Sequence, residues 1–297
     1  MHNSIMNKLN TKRRSQVIAA LVEGNSVRST CRMTGVAKGT VLKLLADLGA
    51  ACQQYQDRVM RNLPCKRIQC DEIWGFCYAK EKNVPEEYKG KLGFGDVWTW
   101  TAICADTKLI PCWLVGERSG EYAVKFIDDL ASRLAYKVQL TTDGYKPYLH
   151  AVLGKFPLWG AIDYAMLVKL YSNPPGGNET RYSPAQCCGA RRVVMSGNPD
   201  PAHISTSFAE RQNLNMRMSM RRFTRLTNAF SKKLRNLEAN VALHFMWYNF
   251  GKIHQTLRIT PAMAAGVADH VWSLEEIAGL LDRPEAGMQY KLEKNPN

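Results

Sequence analysis

A change of hydrophobic period near residue 66 constrains what this chain folds into more than any other feature. Upstream, apolar residues recur at helical spacing; downstream, they alternate or run together in strand-length blocks. Residues 11–48 read as three short helices. Lys12 to Glu23 carries Val17, Ile18, Leu21 and Val22 and stops at Gly24. Ser26 offers an N-cap for a second helix to Met33, with Gly35 beyond it, and Lys38 to Leu48 buries Val41, Leu44, Leu45 and Leu48. Residues 49–66, which include Pro64, read as a connection. Beyond it Arg67–Cys70, Asp96–Ala105, Leu109–Val115 and Lys137–Thr142 read as strands, with an amphipathic helix from Ser119 to Leu134 before the last. Five prolines and four glycines make most of 172–202 a loop, with Arg192–Met195 as a short strand within it. Helices follow from Ser207 to Met220 and from Arg235 to Ile253, and Ser273 with Glu276 forms a capping box that opens one through Leu281. The expected organisation is a helical domain over 1–50, a linker over 51–66, an α/β domain over 67–255 and a helical tail over 256–297.

The net charge of +14, with a pI near 9.4, points to a polyanionic partner, and nucleic acid is the commonest. No apolar run approaches the ~18 residues of a membrane span, and no secretory signal is evident, so no membrane partner is expected. Nine cysteines, an odd number with no C-x-x-C pair, read as free thiols of a reducing compartment; a zinc knuckle is the alternative.

The charge is not evenly spread. Asn25 to Leu45 has the form of a helix-turn-helix, in which Gly35 makes the turn and the following helix enters the major groove. Lys38, Thr40 and Lys43 then face outward on that helix, while Lys12, Arg13, Arg14, Arg28 and Arg32 reach phosphates. A second basic tract runs from Arg211 to Arg235. It holds Arg211, Arg217, Arg221, Arg222, Arg225, Lys232, Lys233 and Arg235 and no acid, a composition that repels itself unless phosphates lie against it. Asn213 shares a helix face with Glu210 and Arg217 and is a further candidate for DNA contact.

Three acids sit where the backbone would hold them rigidly. Asp71 follows the first strand in CDEIWGF, Asp143 follows the fourth in TTDGYKPY, with Gly144 permitting close approach, and Glu210 starts a helix in SFAERQNLNMRM. Carboxylates gathered from separate elements suit hard divalent cations and phosphoryl chemistry. Glu72 ranks second to Asp71, because alternation along an extended segment points it away. Asp106, Asp128 and Asp129 read as structural, and Asp163 has no assignment.

These blocks resemble the DDE transposases of the insertion-sequence-one family. The likeness rests on CDEIWGF, on TTDGYKPY, on HISTSFAERQNLNMRMSMRRFTRLTNAFSKK from His203 to Lys233, and on ALHFMWYNFGKIHQTLRITPAMAAG, which looks like the end of an integrase-type core. It implies a ribonuclease-H-like fold, α/β, behind the all-helical helix-turn-helix module, with first and fourth strands adjacent. Asp71, Asp143 and Glu210 would be the catalytic triad and metal ligands, with two magnesium or manganese ions as cofactors. Double-stranded DNA, both transposon ends and target, would be the partner of a homodimer or larger assembly, in the bacterial cytoplasm on the nucleoid. The family's best-known members carry an N-terminal cysteine-ligated zinc motif and a shorter interval between second acid and glutamate; here that motif is absent and 66 residues intervene. A non-cleaving DNA-binding regulator and a structure-selective nuclease are the alternatives.

Overall fold

The computed structural model describes residues 8–158, 160–171, 187–224 and 227–283. The chain divides into two compact units that interleave in sequence: Met1–Val59, Gly75–Asp96 and Asn215–Asn297 form one, Met60–Trp74 and Val97–Leu214 the other. The boundaries expected at 50, 66 and 255 do not coincide with this division.

The first unit is mainly helical. It opens with α1 (Thr11–Val22), α2 (Val27–Thr34) and α3 (Lys38–Val59). Asn10 and Ser26 cap α1 and α2 by accepting from Arg13 N and Ser29 N. Gly35 ends α2 in the left-handed region, at φ +67°, a conformation that costs glycine little. Val17, Ile18, Val41, Leu45 and Leu48 are fully buried. The connection expected at 49–66 is instead largely helix, because α3 runs to Val59. Its second half buries Gly49, Cys52 and Gln56. A Cβ on Gly49 would lie 2.4 Å from the Ala239 Cα of α7 (Leu234–Met246), so the two helices cross at a glycine-to-alanine contact. At that crossing the buried Gln56 Nε2 donates to the Cys52 and Ala242 carbonyls. The helix expected to Ile253 closes earlier, in a π-helical turn over Trp247–Gly251. After α8 (Pro261–Ala264), α9 (Leu274–Gly279) begins at the foreseen capping box of Ser273 and Glu276.

The second unit carries most of a six-stranded sheet. Its strands are β1 (Arg67–Cys77), β2 (Gly95–Cys104), β3 (Trp113–Gly116), β4 (Gln139–Asp143), β5 (Asp163–Tyr171) and β6 (Cys187–Ser196), in the spatial order β3-β2-β1-β4-β5-β6. β1 pairs with β4, and β4 with β5, in parallel; β2–β3 and β5–β6 are antiparallel. β3 starts four residues later than the pattern suggests because Pro111 has no N–H for a ladder. β5 was not foreseen. Cys187–Ser196, assigned mostly to loop, is strand throughout and pairs along β5. α4 (Gly120–Arg133), capped by Ser119, buries Ala123, Phe126, Ile127 and Leu130, and α5 (Lys146–Lys155) buries Tyr148 and Val152. Phe126 and Tyr148 meet Trp100 of β2, with ring centroids 5.9 and 5.3 Å away, in the core of this unit. Burying each of these side chains is worth roughly 1.5–3 kcal/mol. No helix among the described residues is long and apolar enough to cross a membrane.

Candidate functional site

β1 and β4 lie side by side, in register from Arg67↔Gln139 to Gln69↔Thr141. That pairing brings the next residues of each strand together at one end of the sheet. Asp71 stands within β1 rather than after it, since the strand continues to Cys77. Asp143 is the last residue of β4, and its Oδ1 accepts from Tyr145 N at 3.0 Å, so its own turn holds the carboxylate.

Asp71, Glu72 and Asp143 each offer a carboxylate oxygen within 4.8 Å of the other two, the only such group of metal-capable side chains found among the described residues. Glu72 therefore does not point away from the cluster, as simple alternation predicts. The side chain of Asp71 turns back, its Oδ1 accepting from Glu72 N at 2.9 Å, and the two neighbours share one site. Glu72 is buried, with the buried Tyr148 hydroxyl beside its carboxyl. Gly144 has a smaller role than expected, for a Cβ there would meet Val168 only at 3.4 Å.

Crowding sets the electrostatics. Burial, followed by the charge of Asp143, pushes the Asp71 carboxyl up to about 6, and the same two causes push Glu72 up to about 8. One guanidinium offsets part of this. Arg118 Nη2 lies 3.3 Å from Glu72 Oε2 and 3.8 Å from Asp143 Oδ2. The guanidinium stands over the rings of Tyr145 and Trp98, at 4.0 and 4.8 Å, and Tyr145 Oη donates to the Arg118 carbonyl at 2.7 Å.

α6 (Ser207–Ser219) reaches the cluster through Asn213, whose Nδ2 donates to Asp71 Oδ2 at 2.8 Å. Asn213 is buried in this bond and is not placed to meet DNA, contrary to the expectation from its helix face. Gln69 Oε1 accepts from the N–H groups of Phe208 and Ala209, which ties the start of α6 to β1.

Glu210 does not belong to the cluster. Its Oε1 accepts from Lys169 Nζ of β5 at 2.8 Å and from Thr206 Oγ1 at 2.6 Å. Burial pulls its carboxyl upward, but these two bonds outweigh it and hold the group below the usual carboxylate range. Arg118 and Lys169 escaped the sequence reading, although a lone lysine in the apolar run Asp163–Tyr171 was a visible signal.

The acids read as structural are paired, Asp106 with Arg67, Asp128 with Lys155 and Asp129 with Arg133, and the unassigned Asp163 pairs with Lys137. The cysteines are free, most of them buried, and none belongs to a metal-capable group among the described residues.

The basic residues separate into two kinds. Lys12, Arg13, Arg28, Arg32, Lys38, Thr40 and Lys43 are exposed on α1–α3, as are Arg211, Arg221, Lys232, Lys233 and Arg235 in the second tract. Arg217 is half-buried. Arg14 is buried and paired with Asp282 at 2.8 Å, so it stabilises the helices and faces no phosphate. Arg222 donates to Asn240 Oδ1 and Ser231 Oγ, and burial lowers its guanidinium to about 10; it links Ser231 to Asn240 of α7. Arg225 lies outside the described residues.

No family model and no curated protein matches this sequence. Among solved structures the chain is similar to a piggyBac transposase in a synaptic complex with hairpin DNA. The identity is 13%, over 95% of this chain and 73% of that one, with a TM-score of 0.39. So slight a likeness carries no argument about fold or activity.

Proposed function

We propose that the chain is a DNA transposase of the DDE type, related to the insertion-sequence-one family, with a ribonuclease-H-like core. In this reading it binds the terminal inverted repeats of its element through α1–α3, cleaves the DNA ends, and joins the freed 3′-hydroxyl to target DNA. The observation that carries it is the convergence of Asp71, Glu72 and Asp143 on one point from two adjacent parallel strands.

The residues present fit a divalent cation. Three carboxylates crowd together with one guanidinium, that of Arg118, in contact with two of them, so the cluster carries more negative than positive charge. Oxygen donors alone suit magnesium or manganese. Asp71, Glu72 and Asp143 would hold the metal, which when bound supplies charge to activate water and to stabilise a leaving oxygen. The protein's part is positioning. Asn213 fixes one oxygen of Asp71, the Tyr145 N–H fixes one of Asp143, and Arg118 steadies Glu72 and Asp143 together. Exposed cations such as Arg211, Arg221, Lys232 and Lys233 would bear on the phosphate backbone, as would Arg28, Arg32, Lys38 and Lys43. Assembly of two ends calls for a homodimer or larger complex on DNA.

The test is cleavage of duplex DNA containing the element's ends, with magnesium, by wild type and Asp143→Asn. A loss on the order of 10³-fold or more is expected, the size of several kcal/mol of transition-state charge stabilisation. Equal cleavage by the variant would sink the proposal. Products cut but never joined to target would favour a nuclease. A regulator that binds without cutting is the second reading, and the pairing of Glu210 with Lys169 favours it. Binding by both proteins with cleavage by neither would decide for it.

A further inference from the structure

Glu210 and the cluster are near enough to interact, yet the glutamate is occupied elsewhere. Its charge and that of Lys169 both act on Asp71, in opposite directions. Lys169 projects from β5, the strand on the far side of β4 from β1. Leu167, two residues before it, is in register with Asp143. The lysine's ammonium thus stands in the neighbourhood where a further cation would otherwise balance these acids. Both bonds to Glu210 fall on Oε1. The side chains of Lys169 and Glu210 are 32% and 42% exposed, so water and phosphate oxygens can reach the pair and compete for it.

Building on the metal-site reading above, we propose that Lys169 is a positioning residue, a built-in cation that holds Glu210 apart from the Asp71–Glu72–Asp143 cluster until a DNA phosphate draws the ammonium away. The exchange needs no bond to be made or broken covalently. The ammonium trades one oxyanion for another, and Glu210 becomes available to the ion site. Before DNA arrives the chain holds its ion with three acids, and the fourth joins only when substrate is in place. A cut made without a bound end is thereby discouraged.

The experiment is manganese binding to the full chain without DNA, by calorimetry or by the electron-spin signal of free ion, with thermal unfolding as a check on folding. In wild type, Glu210→Gln should change the manganese affinity less than twofold, since the glutamate is not yet a ligand. Lys169→Met should tighten binding on the order of tenfold, because a carboxylate ligand is released to the site. Lys169→Gln serves as the second variant if the methionine protein misfolds. The gain should vanish in Lys169→Met combined with Glu210→Asp, which keeps the charge but withdraws the carboxylate by one methylene.

Unchanged or weaker binding in both Lys169 variants overturns the proposal. So does a gain that survives the aspartate substitution, which would mean that Lys169 acts only through its distant charge. Wild type that binds no manganese, alone or after Lys169→Met, removes the metal-site reading itself and this proposal with it.

Discussion

Four carboxylates lie near one end of the sheet, and they live in two different environments. Asp71, Glu72 and Asp143 are drawn together by adjacent strands, with one guanidinium in contact with two of them. Glu210, on α6, has an ammonium and a hydroxyl on a single oxygen and stands partly in solvent. Burial and the charge of Asp143 raise Asp71 and Glu72, whereas hydrogen bonds lower Glu210. The difference shows where the molecule carries uncompensated negative charge, and so where an added cation would relieve most energy. In the sequence, Glu210 groups with Asp71 and Asp143, and Glu72 ranks behind them.

The largest expected effect follows from that charge. A carboxyl whose folded pKa lies above its unfolded value contributes stability below the unfolded pKa and loses it as pH rises through the folded one. For Asp71 and Glu72 the window runs from ordinary carboxylate values near 4 up to about 6 and about 8. Wild type should therefore lose on the order of 3 kcal/mol of unfolding free energy between pH 5 and pH 8.5 from these groups. Millimolar manganese should restore most of that at pH 8.5 and little at pH 5, where protons already occupy the oxygens. Urea unfolding at the two pH values, with and without the ion, reads both effects. Stability that rises over this interval, with no response to manganese, would erase the contrast between the two environments.

Glu72→Gln sharpens the same contrast at smaller scale. The amide keeps the shape and removes one of three crowded charges, at the cost of the contact with Arg118. Since the side chain is only 1% exposed, desolvation should outweigh the lost ion pair. The variant should be about 2 kcal/mol more stable than wild type at pH 8.5 and indistinguishable from it near pH 4. A destabilised variant at high pH would mean that the Arg118 pairing, rather than crowding, governs this position.

How far the sequence foretold these environments depends on the range of the interaction concerned. Caps, turns and amphipathic faces are local, so Ser26, Gly35, Ser119 and the Ser273–Glu276 box were legible, as were the strands rich in Trp, Thr and Ile. Asp71 and Asp143 could be singled out because each sits on a strand segment that reads clearly on its own. Three other features were not legible. Glu72 shares the cluster with Asp71, its immediate neighbour, which alternation along a strand does not foretell. Arg118 and Lys169 meet the acids through pairings across the sheet, and a period-two pattern says nothing of partners. The basic tract misled for a related reason. Composition gave one sign throughout, but burial took Arg222 into the packing of α7 and Asn213 onto Asp71. A charge run reports the surface only where its residues stay on it.

Glu210→Gln should produce the smallest change, and its smallness is informative. A partly exposed lysine–glutamate pair is worth at most about 1 kcal/mol, since solvent screens it and two flexible side chains must be ordered to make it. The amide oxygen of glutamine can still accept from Thr206, so only the charged component of the bond is lost. The substitution should therefore cost less than about 1 kcal/mol in the same urea titration, with no added dependence on pH above 6. The sign opposes that of Glu72→Gln: taking away a crowded charge stabilises, while taking away a paired one mildly destabilises. If both substitutions instead stabilise at high pH, Glu210 shares the strain of the cluster and Lys169 does not shield it. The four acids would then be one environment rather than two.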